Sequence, residues 1–289
     1  MGRNSHYFKG KEENARKAEN LYKRIENDQN MMKQVNWCVE NSKIYSPEDK
    51  DIIENFIHNK STEQPIPNIV MYDADTVTAI EKACERPGRT NIAALNFASF
   101  KNPGGMFLKG SKAQEECLCH QSALYNILSR FPNYYEENRK MLNKSLYQNR
   151  AIYTPVVPFF NEKGIFHSDI ITCAAPNKYA AQTYKNVSEE ENWYNLYNRI
   201  EFILDIAKIN NVDILIVGAF GCGVFGQDPY EVAAIFKYLL NNKRYGFELV
   251  VFAIPYGTRQ DNFIPFCEVL NNKITNIDNP RVRDLLKKC

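Results

Sequence analysis

Four short, unbroken apolar runs limit what this chain can fold into more than any other feature. Residues 91–97 (NIAALNF), 168–174 (SDIITCA), 213–219 (DILIVGA) and 248–254 (ELVVFAI) lack the polar alternation of a strand with one wet face. Such runs are strands covered on both sides. The segments between them have helical periodicity. Residues 189–210 set Trp193, Leu196, Ile200, Ile203, Leu204 and Ala207 on one helical face, and 76–85 and 228–241 read the same way. Residues 112–130 read as one long helix, and 68–72 and 151–158 as further strands. Strand and helix alternate, so the class is α/β with a sandwiched central sheet.

The first 65 residues have a different texture. Residues 15–26 read as a helix with a modest apolar face of Leu21, Tyr22 and Ile25. Residues 35–45 read as a strand or extended segment. Ser46-Pro47-Glu48-Asp49 opens a short helix carrying Ile52, Ile53 and Phe56. Two prolines make 61–68 a loop. The expected division is an accessory segment at 1–65 and the main domain at 66–289.

Two glycine loops follow buried strands. The second, Gly218-Ala-Phe-Gly-Cys-Gly-Val-Phe-Gly226, leads into Asp228-Pro229-Tyr230-Glu231. Asp228 suits an N-cap, Pro229 the first helical position, and Glu231 a capping box. The glycines thus lie between a strand's carboxyl end and a helix N-terminus, where open α/β sheets bind ligands and where phosphate is favoured. The spacing is neither a Walker loop nor a dinucleotide fingerprint. A glycine-rich turn needed only for tight packing is the competing reading.

The first loop runs from Asn96 through Ser99 and Asn102-Pro-Gly104-Gly105-Met106 to Gln114-Glu115-Glu116. Gly104 and Gly105 let backbone approach a ligand closely. Two carboxylates in a first helical turn can simply complement the helix dipole. The functional alternative is proton transfer by one and hydroxyl binding by the other. Consecutive helical residues point about 100° apart, so the pair cannot flank one bond from opposite sides. An acid at this position also needs desolvation to raise its pKa. Cys117, Cys119 and His120 are too poorly matched in direction on a helix to form a metal site.

Together these motifs resemble the microbial poly(ADP-ribose) glycohydrolases of the macrodomain superfamily. The family signature is a glycine triplet followed by Gln-Glu-Glu. The similarity spans roughly 68–270 and includes Ile171-Thr-Cys-Ala-Ala-Pro-Asn177 and the second glycine loop. It implies a macrodomain-like three-layer α/β/α fold with a mixed sheet, and hydrolysis of the ribose–ribose O-glycosidic bond with release of ADP-ribose. By motif position, Glu116 would be the general acid/base, Glu115 would hold ribose hydroxyls, and Gln114 would support the loop. Gly104 and Gly105 would lie along the diphosphate and reacting ribose. Gly221, Cys222, Gly223, Val224, Phe225 and Gly226 would wrap the diphosphate, with Phe225 on the ribose or base. Asp75 would meet the adenine amine. Two positions depart from the family pattern. Met106 replaces the third glycine, and Ser99 stands where related sequences often carry Asn, with Asn102 as a substitute and Asn96 nearby. These departures leave open a mono-ADP-ribosyl hydrolase or a non-catalytic ADP-ribose-binding module.

A net charge of +2 over 289 residues argues against broad phosphate neutralisation, hence against nucleic acid as a partner. It fits an anion held by backbone N–H groups. The eight cysteines are scattered without a CxxC pair. The N-terminal run MGRNSHYFKGKEENARK has no apolar leader core, and residues 212–225 are too few and too glycine-rich to span a bilayer. The expectation is a cytoplasmic monomer without metal, cofactor or membrane contact.

Overall fold

A computed structural model describes residues 2–59, 64–88, 90–257, 261–273 and 279–289. Part of the loop expected at 61–68 lies outside the described residues. The first half of the chain contains α1 (Gly2–Asn27), α2 (Gln29–Asn41), β1 (Lys43–Tyr45), α3 (Lys50–Asn59), β2 (Asn68–Tyr72), α4 (Thr76–Cys84), β3 (Ile92–Phe97), α5 (Gln114–His120), α6 (Leu124–Leu128) and α7 (Pro132–Lys140). The second half contains β4 (Ala151–Asn161), β5 (Gly164–Cys173), α8 (Lys178–Lys185), α9 (Glu189–Ile209), β6 (Ile214–Val217), α10 (Pro229–Asn242), β7 (Leu249–Ala253), α11 (Phe263–Leu270) and α12 (Pro280–Leu286).

The strands form one sheet in the order β1-β4-β5-β3-β6-β7-β2. The pairs from β5 to β2 are parallel, while β1–β4 and β4–β5 are antiparallel, so the sheet is mixed. The missing polar alternation now has its cause. Leu95, Leu215 and Val250 enter one core with α9, α10 and α11. Ala94, Ile216 and Val251 enter another with α1, α2 and α4 to α7. Successive strand residues point to opposite faces, and both faces are dry. The result is the expected three-layer α/β/α arrangement.

Two local expectations are corrected. Most of 35–45 is helix rather than strand. Asp28 caps α2 by accepting from the backbone N–H groups of Asn30 and Met31 at 2.9 and 3.0 Å, and Val35 and Cys38 are buried one turn apart. Only Lys43–Tyr45 pairs as a strand, along β4.

The long helix expected at 112–130 is two helices. At the break, Ala123 N–H donates to Pro158 O at 3.0 Å and Phe160 N–H to Gln121 O at 2.9 Å. Ser122 donates its hydroxyl to Leu118 O at 2.7 Å and accepts from Leu124 N–H at 3.1 Å. A bridge to β4 therefore takes the backbone groups that a continuous helix would use. The consequence is a short α5 whose N-terminus meets the end of β3.

Candidate active site

The site begins where β3 stops. Gln114, the first residue of α5, extends the ladder of β3 with its side chain. Its Oε1 accepts from Phe97 N–H at 2.8 Å, and its Nε2 donates to Leu95 O at 2.8 Å and to Thr76 Oγ1 at 3.1 Å. These bonds fix the direction in which Glu115 and Glu116 leave the helix.

Both carboxylates are buried, with relative exposures of 3% and 5%. Glu115 Oε2 accepts from Ser99 N–H at 2.7 Å, and its Oε1 accepts from the Asn96 amide at 3.2 Å. Glu116 Oε1 accepts from Met106 N–H at 2.8 Å and its Oε2 from Ala113 N–H at 2.9 Å. That last bond is half of a capping box; the Ala113 methyl group offers no oxygen to accept the returning bond. Burial pushes the Glu115 carboxyl up to about 8, against the pull of the Ser99 N–H and the Asn96 amide. The neighbouring Glu116 charge acts in the same direction as burial.

Gly104 and Gly105 both have left-handed backbones, with φ of 61° and 60°. A Cβ on Gly105 would lie 2.5 Å from Glu116 Oε1 and 3.0 Å from Glu115 Oε2. One on Gly104 would lie 2.6 Å from Tyr125 Cδ2. Gly105 is thus the backbone position that both carboxylates border. Met106 differs: its φ is −111°, an ordinary value for any residue. The third position of the motif therefore does not need glycine for its backbone. Asn102 packs less closely. Its N–H donates to Ser99 Oγ at 3.2 Å, and its side chain is exposed.

A cavity of about 840 Å³ lies beside this cluster. Asp75, Phe97 and Gln114 form one wall, and Gly221, Gly223, Val224 and Phe225 another. The volume suits a nucleotide-sized ligand. Glu115, Glu116, Gly104 and Gly105 are not among its lining residues, although Gln114, next to Glu115 in the chain, is. Within the loop, Cys222 is buried. Gly221 and Gly226 have φ of 77° and 72°, and Gln227 N–H closes the loop on Gly221 O at 3.0 Å.

One expectation about the second loop is modified. Asp228 accepts from Tyr230 N–H at 2.8 Å and Glu231 N–H at 3.1 Å. The N-terminus of α10 is therefore occupied by its own cap, and only the glycine loop borders the cavity. Asp75 likewise caps α4 through Thr78 N–H at 2.8 Å while lining the cavity.

The sequence reading missed Lys112, Ala175, Pro255 and Asn262, which also line the cavity. Pro255 carried a usable signal, since it follows a buried strand at the same sheet edge as the glycine loop. Asn262 carried none. Among the described residues no three His, Cys, Asp or Glu side chains cluster as a metal site would require.

Comparison with known proteins gives an independent result. Residues 11–162 match the microbial-type PARG catalytic domain. The chain is similar to the poly(ADP-ribose) glycohydrolase of Deinococcus radiodurans, solved in complex with ADP-ribose. The identity is 31% over 83% of this chain and 98% of that one, with a TM-score of 0.75. It is similar to the poly(ADP-ribose) glycohydrolase of Thermomonospora curvata bound to the inhibitor ADP-HPD, at 30% identity over 81% and 87% of the two chains and a TM-score of 0.71. A second crystal structure of the Thermomonospora curvata enzyme gives a TM-score of 0.73 at the same identity and coverage. No curated protein matches the sequence.

Proposed function

We propose how this chain works from one premise: it belongs to the microbial-type poly(ADP-ribose) glycohydrolases. It is a glycosidase that hydrolyses the ribose–ribose O-glycosidic bond of poly(ADP-ribose) and releases ADP-ribose. In our reading Glu116 protonates the leaving oxygen and then takes a proton from the attacking water. Glu115 holds ribose hydroxyls. A carboxyl pushed up to about 8 retains its proton at neutral pH, so it can donate a hydrogen bond to substrate. Gln114 keeps the pair in register with β3.

Asn96, Ser99 and Asn102 surround the reacting ribose in this reading. Gly104 and Gly105 lie against that ribose and the diphosphate. Met106 borders the scissile bond. Gly221, Cys222, Gly223, Val224 and Gly226 enclose the diphosphate, Phe225 packs on ribose or base, and Asp75 meets the adenine amine. The observation that carries the assignment is the buried carboxylate pair converging on Gly105. The test is Glu116→Gln with poly(ADP-ribose) as substrate. Released ADP-ribose should fall by about 10²–10⁴-fold, while calorimetric affinity for ADP-ribose persists. Equal release by variant and wild type would remove Glu116 from the chemistry.

We read residues 1–65 as an accessory layer folded onto 66–289, and the whole as a cytoplasmic monomer that binds no membrane and no specific nucleic-acid sequence. The eight free thiols support a reducing compartment. Among the described residues no helix is long and apolar enough to cross a membrane.

A further inference from the structure

The turn at 142–147, between α7 and β4, is strained. Asn143, Lys144, Ser145 and Tyr147 have φ of 40°, 52°, 71° and 60°, the left-handed region that side chains disfavour. Backbone of this kind persists only where its surroundings fix it. The fixing group is Arg199 of α9, which is 1% exposed. Its Nη2 donates to Tyr147 O at 3.1 Å and to Leu146 O at 3.4 Å. Its Nε donates to Asn149 Oδ1 at 2.7 Å, and its Nη1 to Ala174 O. All four acceptors are neutral, and burying a guanidinium against neutral groups is costly. One buried cation thus ties the turn to Ala174, the neighbour of Ala175 in the cavity wall. Asn177 N–H adds a bond to Ser145 O at 3.0 Å.

What the strained turn delivers is the Tyr147 ring. It is 7% exposed and is not among the residues that line the cavity. On one side it stacks on Phe100, with ring centres 4.4 Å apart and planes 12° from parallel. On the other it meets the edge of Phe225 at 6.2 Å. Phe100 follows Ser99, whose N–H donates to Glu115 at 2.7 Å. Its carbonyl is fixed from the far side by the buried Asn138 amide at 2.9 Å. Phe225 belongs to the second glycine loop and lines the cavity. Tyr147 therefore stands between the two loops, although it belongs to neither motif.

We propose that Tyr147, held by Arg199, is a positioning residue for the glycosidic reaction: its ring fixes the carboxylate loop and the second glycine loop against each other. The inference rests on the roles of Glu115, Glu116 and Phe225 given above. Through Phe100 the ring sets the Ser99 N–H against Glu115. Through Phe225 it sets the side chain that packs on ribose or base. Turnover and binding thus depend on one buried ring that lies outside the cavity.

The experiment measures kcat on poly(ADP-ribose) and the calorimetric Kd of ADP-ribose for wild type, Tyr147→Leu, Tyr147→Phe and Glu116→Gln. Each value is corrected for the folded fraction from circular dichroism. Tyr147→Leu keeps an apolar side chain but no ring. Its kcat should fall about tenfold or more, the scale of a small misplacement beside the chemistry. Its Kd should rise about three- to tenfold, the scale of one aromatic contact. Tyr147→Phe keeps the ring and should restore both. Adding Phe225→Leu to Tyr147→Leu should leave Kd where Phe225→Leu alone puts it, because both changes remove the same contact. If Tyr147→Leu does not fold, Phe100→Leu breaks the other side of the stack. It should lower kcat and leave Kd near the wild-type value, and an unchanged kcat there would overturn the proposal. Losses in Tyr147→Leu that vanish on correction for the folded fraction would overturn it too. So would a Kd loss that adds in full to that of Phe225→Leu, or a Tyr147→Phe variant no better than Tyr147→Leu. A Glu116→Gln variant that turns over like wild type would remove the reading of the site, and this inference with it. An inactive Glu116→Gln beside an unchanged Tyr147→Leu would remove the inference alone.

Discussion

At the scale of single residues, the active-site loop is governed by what each position can tolerate. Gly105 is constrained twice: by its φ of 60° and by carboxylate oxygens 2.5 and 3.0 Å from where a Cβ would be. Gly105→Ala should therefore displace Glu116 and lower kcat by at least about tenfold, with a stability loss of about 1–3 kcal/mol. Met106→Gly meets neither constraint, so it should cost less than about 1 kcal/mol. Urea unfolding and polymer turnover, measured on both variants, would separate the two positions. Glu115 adds a pH effect. Its folded pKa, about 8, stands above the ordinary carboxylate value, so the folded state binds the extra proton. Its contribution to stability is present in full below about pH 4.5 and is lost as pH rises towards about 8. Glu115→Gln should remove that loss. Melting temperatures of wild type and variant should diverge in the variant's favour between pH 5 and pH 8, by several degrees or so. Parallel curves across that range would contradict the buried, proton-retaining carboxyl.

At the scale of elements, legibility in the sequence followed the number of partners each segment has. β3, β6 and β7 could be read directly, because burial on both faces leaves an apolar run that no exposed helix produces. α9 and α10 could be read from spacing and from the caps Ser188 and Asp228. The failures occurred where a distant segment set the local backbone. Residues 112–130 have helical periodicity throughout, and the break at Ser122 exists only because β4 offers hydrogen bonds there. Residues 35–41 carry β-friendly Val35 and Val39, yet the Asp28 cap and the core beneath make them helix. The site divided in the same way. Gln114, Glu115, Glu116 and the glycines form contiguous motifs, whereas Lys112, Pro255 and Asn262 join the cavity only through folding. The cap of α10 offers a test at this scale. Asp228→Ala should cost about 1 kcal/mol of stability, measured by urea unfolding. ADP-ribose affinity should change little, since Asp228 serves its own helix and does not line the cavity. A large affinity loss at unchanged stability would return the helix N-terminus to the binding site.

At the scale of the whole molecule, the question is whether the first 65 residues are optional. Their composition is polar and their motifs carry no chemistry, which invites treating them as a detachable extension. The packing argues otherwise. Ala18, Ile25, Val35 and Cys38 are each at most 3% exposed and belong to the same core cluster as Leu118, Cys119 and Leu124. That cluster lies directly under α5, whose first turn carries the carboxylate pair. β1 also covers the edge of β4, satisfying backbone groups that would otherwise be free to pair with another chain. Removing residues 1–65 would thus expose one face of the core and an edge strand together. Fragment 66–289 should aggregate, or unfold without a cooperative transition, under conditions in which the full chain melts in one step. A milder form of the same test is Val35→Asp, which leaves the sheet edge covered but places an unpaired charge in that core. It should destabilise the protein by about 3 kcal/mol or more and reduce turnover only through the folded fraction. If fragment 66–289 instead melts cooperatively and turns over polymer at the full rate, α1 and α2 are not part of the folding unit that holds Glu115 and Glu116 in place.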